Sequence, residues 1–411
     1  MTDIAANRVS INSYVQVLQI LGRLYLLPCL QFFYTERNEP QLLFFGSPYL
    51  CTFHAKRSLT RSASANHIQS FLDLLPHTSP KTLALYIRFP LWEQSLHAVR
   101  QMPKLQFLVM DTENVDGQFS LGVDFLTNLA SCQTLTEWFL RRNISVAPLT
   151  ASNFSMLEFD SLTYLSFISK KQTSIAKYTP LLRAGYFPSL EWMEVRLTVD
   201  HTPGQSLSPA KLWKDFFKYL CTPTVDSLFV IEVMIKRPTA CQVSFDNVPD
   251  LQIFNLESFE INIFHSLSAS NLLAMFAYWP DLIILRISGM DIVTIDFSSL
   301  VEIASRFPYF EELEIQINCT AFPSINDVPV LQHNLETLKF SLLHLENHIA
   351  LAHCIDKIFP DLMVLYIYGS PPFLKSGVGK EIQEIYQGLQ SARKDHDQRK
   401  WDQVSISSTF H

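Results

Sequence analysis

One apolar pattern returns along most of this chain: Pro-x-Leu-x-x-Leu-x-Ile/Leu. It reads Pro103, Leu105, Leu108, Met110, and again Pro188, Leu190, Met193, Val195. It continues as Pro223, Val225, Leu228, Val230, then Pro249, Leu251, Phe254, Leu256, then Pro280, Leu282, Leu285, Ile287. Pro308, Phe310, Leu313, Ile315 and Pro360, Leu362, Leu365, Ile367 follow. Three copies lack the proline: Leu135, Trp138, Leu140; Leu162, Leu165, Phe167; and Leu335, Leu338, Phe340. Pro80, Thr82, Leu85, Ile87 is a weaker first copy, which makes eleven, with first positions 23 to 35 residues apart. Self-similarity at this period marks a repeat architecture rather than two or three unrelated domains.

The spacing sets the local geometry. The second and third apolar positions are two apart, so they share one face of a strand. The first enters the same core as the chain turns into that strand. Short amphipathic helices precede many copies: Ile68, Phe71, Leu72, Leu75; Trp213, Phe216, Phe217, Leu220; Leu272, Met275, Phe276, Trp279; Leu300, Ile303, Ala304, Phe307; and Leu351, Cys354, Ile355, Ile358. Each has i, i+3, i+4, i+7 spacing. Proline then stops the helix, because the residue before it is pushed out of the α region. Helix, proline stop, strand and loop form a unit that cannot bury its apolar face alone, whereas stacked units share one core. The expected fold is α/β, a leucine-rich-repeat solenoid with parallel strands on the concave side and helices on the convex side. An all-helical solenoid fits the strand-like segments less well.

Composition agrees. Hydrophobic residues make up 48% and charged residues 17%, with 31 phenylalanines as bulky core material. Only 11 glycines are present, which argues against glycine-rich phosphate cradles. Net charge is −7 with no extended basic block, so nucleic-acid binding is not expected. The longest basic cluster, Lys56-Arg57 with Arg61, reads as a solvated Ser-rich loop. Seven cysteines without a CxxC pair read as reduced thiols of a cytoplasmic or nuclear protein. The sequons at Asn143, Asn153 and Asn318 would matter only in a secreted chain, the third reading considered for this sequence.

Outside the array, residues 1–65 are expected to form an N-terminal cap, with the apolar run Tyr14–Tyr34 as a buried helix pair rather than a membrane span. The repeats are assigned to residues 66–370. A C-terminal capping helix is assigned to 371–400, carrying Ile382, Ile385, Tyr386 and Leu389 on one face. Residues 401–411 are expected to be a disordered tail.

The Phe-Pro-x-Leu-x-x-Leu-x-Ile junctions at 187–188, 307–308 and 359–360, with their irregular unit lengths, resemble the repeats of fungal F-box proteins. The resemblance covers about residues 66–370. It implies a substrate-receptor subunit of a ubiquitin ligase: the repeats hold a protein substrate, and an N-terminal F-box docks a Skp-type adaptor. The Leu-Pro-x-Glu-Ile/Leu opening of an F-box is not found here; Leu27-Pro28 is followed by Cys29-Leu30. A ligase-independent intracellular scaffold is the alternative.

No residues point to catalysis, a cofactor or a metal, and a non-catalytic monomer is expected. Gly377-Val378-Gly379-Lys380 lacks the earlier glycine and the Ser/Thr of a phosphate loop, since Leu374 and Glu381 stand there. His344, His348, His353 and Cys354 cluster but read as loop and helix-start residues. HExxH and GxSxG are absent.

Function is therefore expected on the outward strand positions. The partner-binding candidates are Phe107, Phe139, Arg141, Tyr164, Trp192, Glu194, Arg196, Phe229, Arg286, Glu312, Glu314, Lys339, Tyr366 and Tyr368. Ile231, Asn255 and Glu257 are also assigned outward. Aromatic residues and arginine dominate binding hot spots, and Trp192 between Glu194 and Arg196 stands out.

Overall fold

The computed structural model describes residues 11–22, 25–36, 40–56, 66–88, 97–111, 119–141, 144–147, 156–172, 175–198, 209–221, 227–236, 249–262, 268–288, 295–319, 323–331, 333–345, 347–369 and 377–408. The chain divides into two compact units: residues 1–207 with 211–228, and residues 208–210 with 229–411.

In the first unit, seven described strands lie parallel in chain order: β1 (Phe32–Thr35), β2 (Thr52–Lys56), β3 (Ala84–Arg88), β4 (Phe107–Asp111), β5 (Glu137–Arg141), β6 (Tyr164–Gln172) and β7 (Trp192–Thr198). In the second, six more follow the same rule: β8 (Val230–Lys236), β9 (Ser258–Ile261), β10 (Ile284–Ile287), β11 (Glu312–Cys319), β12 (Thr337–Leu345) and β13 (Val364–Gly369). Register is unbroken where the apolar pattern lies. Phe33, Phe53, Leu85, Leu108, Trp138, Leu165 and Met193 are successive partners. So are Ile231, Phe259, Leu285, Leu313, Leu338 and Leu365. These side chains point inward, most of them fully buried. Each buried Leu contributes roughly 1.5–3 kcal/mol, and stacking lets every rung cover the next.

Helices supply the other layer: α1 (Ile11–Leu21), α2 (Asn66–Thr78), α3 (His97–Arg100), α4 (Val123–Ala130), α5 (Thr179–Ala184), α6 (Pro209–Leu220), α7 (Ala269–Tyr278), α8 (Phe297–Arg306), α9 (His348–Ile358) and α10 (Val378–Ser408). The apolar stripes expected in α2, α6, α7, α8 and α9 are buried, except that Phe307 at the end of α8 is half-buried. The pre-proline residues Trp279, Phe307 and Phe359 end their helices with ψ of 75°, 74° and 71°, outside the helical region as the following proline demands. Each unit is thus a stretch of α/β leucine-rich-repeat solenoid. No described helix is long and apolar enough to cross a membrane.

A repeated hydrogen-bond device fixes the rungs. The residue after the first apolar position offers its carbonyl to two successive N–H groups of the next rung. Gln106 O accepts from Thr136 N and Glu137 N, and Thr136 O accepts from Thr163 N and Tyr164 N. In the first unit, hydroxyls staple neighbouring rungs: Thr134 Oγ1 donates to Leu105 O (2.8 Å), Ser189 Oγ to Asp160 O (2.6 Å) and Ser227 Oγ to Leu190 O (2.9 Å). In the second, Asn262 spans the Ile235 backbone, accepting from its N–H at 2.7 Å and donating to its C=O at 2.9 Å. Where proline is replaced by His333, the imidazole takes over the turn. Leu335 N donates to Nδ1 (3.0 Å), and Nε2 lies 2.8 Å from Phe307 O; burial lowers the ring's pKa, against the opposing pull of the Phe307 carbonyl.

The structure corrects the sequence reading in four places. The ladder starts earlier than residue 66, because β1 and β2 are full rungs. They carry the pattern as Pro28, Leu30, Phe33, Thr35 and Pro48, Leu50, Phe53, Ala55, and the apolar run Tyr14–Tyr34 is a helix followed by a strand, not a helix pair. The copy at 225/228/230 sits three residues late: the inward residues are Leu228, Ile231 and Val233. The copy at 251/254/256 sits five residues late, at Leu256, Phe259 and Ile261, because Pro249–Ile253 is a turn of 3-10 helix. Finally, α10 continues to Ser408, into the stretch expected to be disordered.

That last helix closes the second unit. Ile382 and Tyr386 are buried against the final rung, and its exposed carbonyls are taken up one by one. Tyr386 Oη donates to Phe359 O (2.9 Å), Gln390 Nε2 to Leu362 O (2.8 Å), Gln383 Nε2 to Leu365 O (2.5 Å) and Arg393 Nη1 to Pro360 O (2.9 Å). Gly377, at φ +71°, turns the chain into this helix, and a Cβ at Gly379 would lie 3.4 Å from Ile367 O. The Gly377–Lys380 segment is therefore a helix start seated on the ladder.

Candidate functional site: the outward faces of the two units

Outward residues alternate with the buried ones, so the register that builds the core also lines up the opposite face. In the first unit this produces an unbroken column of seven rings. Tyr34 meets His54 (centroids 4.9 Å apart), His54 meets Tyr86 (5.1 Å), and Tyr86 meets Phe107 (5.0 Å). Phe107 then meets Phe139 (4.9 Å), Phe139 meets Tyr164 (4.8 Å), and Tyr164 meets Trp192 (5.5 Å). The spacing is that of parallel strands, and the column steps between two adjacent outward rows. Trp192 is 38% exposed and Tyr34 40%.

Charged groups flank the column. Glu194 is buried and accepts from Tyr164 Oη (2.7 Å), Ser166 Oγ (2.6 Å) and Arg196 Nε (2.5 Å). It holds one ring and orients a guanidinium, so it acts as a positioning group beneath the surface. Arg196 itself is largely exposed. The Arg141 guanidinium lies 5.6 Å over the Phe139 ring, while its Nε is buried with no hydrogen-bond partner. Burial raises the Glu137 carboxyl above its usual range. Tyr86 is raised by burial and by Glu137, against the pull of Arg141.

The second unit presents a different face. Arg286 bridges two rungs, 2.8 Å from Glu260 and 2.6 Å from Glu312, and Lys339 Nζ lies 2.5 Å from the other Glu312 oxygen. Hydrogen bonding to Glu312 raises Arg286 further; burial opposes this and Glu260 adds to it. Burial alone would raise Glu312, but its bonds to Arg286 and Lys339 outweigh that and hold it below its usual value. Glu314 lies in the next outward position and is raised by burial despite the nearby Lys339. Tyr366 and Tyr368, 4.8 Å apart, end this face on β13, and burial followed by Glu314 raises Tyr368.

Twelve of the sequence candidates lie outward as expected and sort into these two groups. Glu194 keeps its outward register position but is buried. Phe229 does not belong to the face. It precedes β8, in the position whose carbonyl accepts the next rung's two N–H groups, here Glu257 N and Ser258 N. Ile231 is a core residue, and the outward positions of β9 are Ser258 and Glu260 rather than Asn255 and Glu257. Tyr34, His54 and Tyr86 escape the sequence pattern, because β1 and β2 lack its aliphatic composition and β3 carries a weak copy of it. Glu260, which completes the charge network, was hidden by the five-residue shift. Among the described residues no group of three or more His, Cys, Asp or Glu could hold a metal ion. Asn143 and Asn153 lie outside the described residues.

No protein-family model matches this chain, and no curated protein matches it by sequence. Among solved structures, a leucine-rich-repeat protein of Leptospira interrogans is similar at a TM-score of 0.40 and 11% identity, over 88% of this chain and 81% of that one. The TLR13–ssRNA13 complex contains a chain similar at a TM-score of 0.38 and 14% identity, over 78% of this chain and 40% of that one. This chain therefore spans less than half the length of the latter.

Proposed function

We propose that this chain is a non-catalytic, protein-binding repeat module that grips a protein partner on the outward faces of its sheets. One observation carries the reading: seven rings on consecutive rungs form a continuous, partly exposed column, with Trp192 at its end and arginines at its side. Rigid aromatics and arginine are the side chains that concentrate binding energy at interfaces. Ring-on-ring contact also fixes them before a partner arrives, so little ordering entropy is spent on association.

The test is affinity capture with mass spectrometry, comparing the natural chain with Trp192→Ala plus Arg196→Ala. The double variant should lose the captured partner and melt as the parent does. A retained partner at unchanged melting temperature dismisses this surface. The finer assignment, a cytoplasmic or nuclear substrate receptor of a ubiquitin ligase, draws its support from the Phe-Pro repeat junctions. Co-purification of a Skp-type adaptor supports it, and its absence from a capture that retains the partner leaves a ligase-independent scaffold.

A further inference from the structure

The second unit carries negative charges that its own chain does not answer. Ladder bonds place Phe229, Glu257, Ile283, Glu311, Glu336 and Met363 at one equivalent position, just ahead of successive strands; each carbonyl accepts from the N–H of the next residue in the row. Glu257, Glu311 and Glu336 are exposed, and among the described residues none of them meets a cation. Glu311 and Glu336 stand on adjacent rungs, whose backbones are about 4.8 Å apart, a placement in which like charges destabilise. The two cations described on this face are engaged elsewhere, Arg286 with Glu260 and Glu312, and Lys339 with Glu312. Arg306, Lys380 and Arg393 lie on helices and pair with Glu302, Glu384 and Asp356, while Lys357 donates to the Ile325 carbonyl. In the first unit the same position is uncharged on every rung from Gln31 to Thr163 and reaches a glutamate only at Glu191. The repeat itself therefore does not call for the acidic row. The row ends in an apolar strip on and just before β13, where Met363 is 70% exposed, Val364 45%, Tyr366 51% and Tyr368 39%. Apolar side chains gathered at a surface in this way mark a contact site.

We propose that this side of the second unit docks an extended basic segment of a partner protein. Its chain crosses the strands, lysine or arginine side chains follow Glu257, Glu311 and Glu336, and an apolar residue seats on Met363, Val364 and Tyr366. The proposal rests on the protein-binding reading above and gives the second unit a surface of stated chemistry. Charge complementarity selects the sign: acidic peptides and nucleic acid would add to the repulsion between Glu311 and Glu336, and a cationic segment relieves it. Layout selects an extended chain over a metal ion. The glutamates are strung across the rungs instead of converging on a point, and among the described residues no group of three or more His, Cys, Asp or Glu could hold a metal ion. The strip on β13 selects a polypeptide over a simple polyamine, because exposed aromatic and aliphatic groups are matched by apolar side chains.

The experiment uses the full chain and a fluorescein-labelled Lys–Tyr copolymer, read by fluorescence anisotropy. The natural chain should bind, and affinity should fall as salt rises. Glu311→Gln plus Glu336→Gln should weaken binding by at least roughly tenfold. Asp124→Asn plus Asp160→Asn makes the same change of net charge at exposed positions of the first unit and should leave binding unchanged. Met363→Ser plus Tyr366→Ser should weaken the Lys–Tyr copolymer severalfold and spare a polylysine of equal length; equal losses of the two probes overturn the seating on β13. Charge reversal, Glu311→Lys plus Glu336→Lys, should transfer the preference to a Glu–Tyr copolymer. Should the double glutamine variant melt early, Glu336→Gln alone must still weaken binding. Equal binding by the natural chain and the double glutamine variant overturns the proposal. So does an equal loss in the Asp124 and Asp160 variant, which traces binding to net charge, and so does saturable magnesium binding that the double glutamine variant abolishes. Loss of the captured partner by Trp192→Ala plus Arg196→Ala, together with a copolymer indifferent to Glu311 and Glu336, sinks the basic segment alone and leaves the protein-binding reading standing. A partner retained there, with the copolymer lost here, dismisses the ring column and keeps the acidic row.

Discussion

The two units share an inward face and differ in their outward one. Inside, Leu108 and Leu313 occupy the same place on their rungs, each at most 2% exposed. Outside, the rung of Leu108 carries Phe107 in a ring column, whereas the rung of Leu313 carries Glu312 clasped by Arg286 and Lys339. The repeat constrains one side of each strand and leaves the other open to chemistry. A ring column and a charge network are two solutions to the same problem: half-buried outward side chains, 4.8 Å apart, need partners on neighbouring rungs.

The sharpest check is on what the units share. An aspartate at either inward position puts a charge into a closed apolar layer, so Leu108→Asp and Leu313→Asp should each cost more than about 4 kcal/mol. Circular dichroism melting should show each unit losing its transition in turn. A variant that melts cooperatively at the parent temperature would break the equivalence of the rungs.

Next in size is the difference between the outward faces. Phe107→Ala removes a ring touching both Tyr86 and Phe139 and should cost about 2–3 kcal/mol. Glu312→Gln strips one carboxylate from two cations and should cost about 1–2 kcal/mol, reduced by solvent at the face. Salt separates them. Screening should shrink the Glu312→Gln penalty in 1 M sodium chloride and leave that of Phe107→Ala unchanged. Denaturant melts of both variants at two salt concentrations measure this, and equal salt responses would erase the distinction.

Most of the fold was legible because its signal is local. Leu-x-x-Leu-x-Ile is a strand with one apolar face wherever it occurs, and nine of the eleven copies sit in the register read from them. Failures came where that signal was ambiguous or diluted. Leu228 can serve as second residue of one triplet or first of the next, and only pairing of Ile231 with Phe259 decides. Phe53 with Ala55 and Phe33 with Thr35 keep the spacing but not the aliphatic composition. The site was legible residue by residue and not as a pattern. Phe107, Phe139, Tyr164 and Trp192 could be named as outward, but a column steps between rows, and only three-dimensional register shows that each ring touches the next.

The smallest effect tests the charge network from within. Glu312 and Glu314 are two residues apart on one strand, yet their carboxyls shift in opposite directions. Glu312, held below its ordinary 4.5, contributes stability that is complete above pH 4.5 and disappears as pH falls through its lowered folded value. Glu314 is raised by burial, so folding favours its protonated form; its contribution is present below pH 4.5 and is lost as pH rises through its folded value. Glu314→Gln should therefore match the parent in acid and equal or slightly exceed it at pH 7, by no more than about 0.5 kcal/mol. Glu312→Gln should do the reverse, trailing the parent at pH 7 and converging on it near the acid limit. Melting temperatures of both variants between pH 3 and 7 would show the two difference curves with opposite slopes. Parallel curves would mean that Arg286 and Lys339 do not discriminate between the two carboxylates, and the outward face of the second unit would then be a diffuse field of charge instead of a set of fixed pairs.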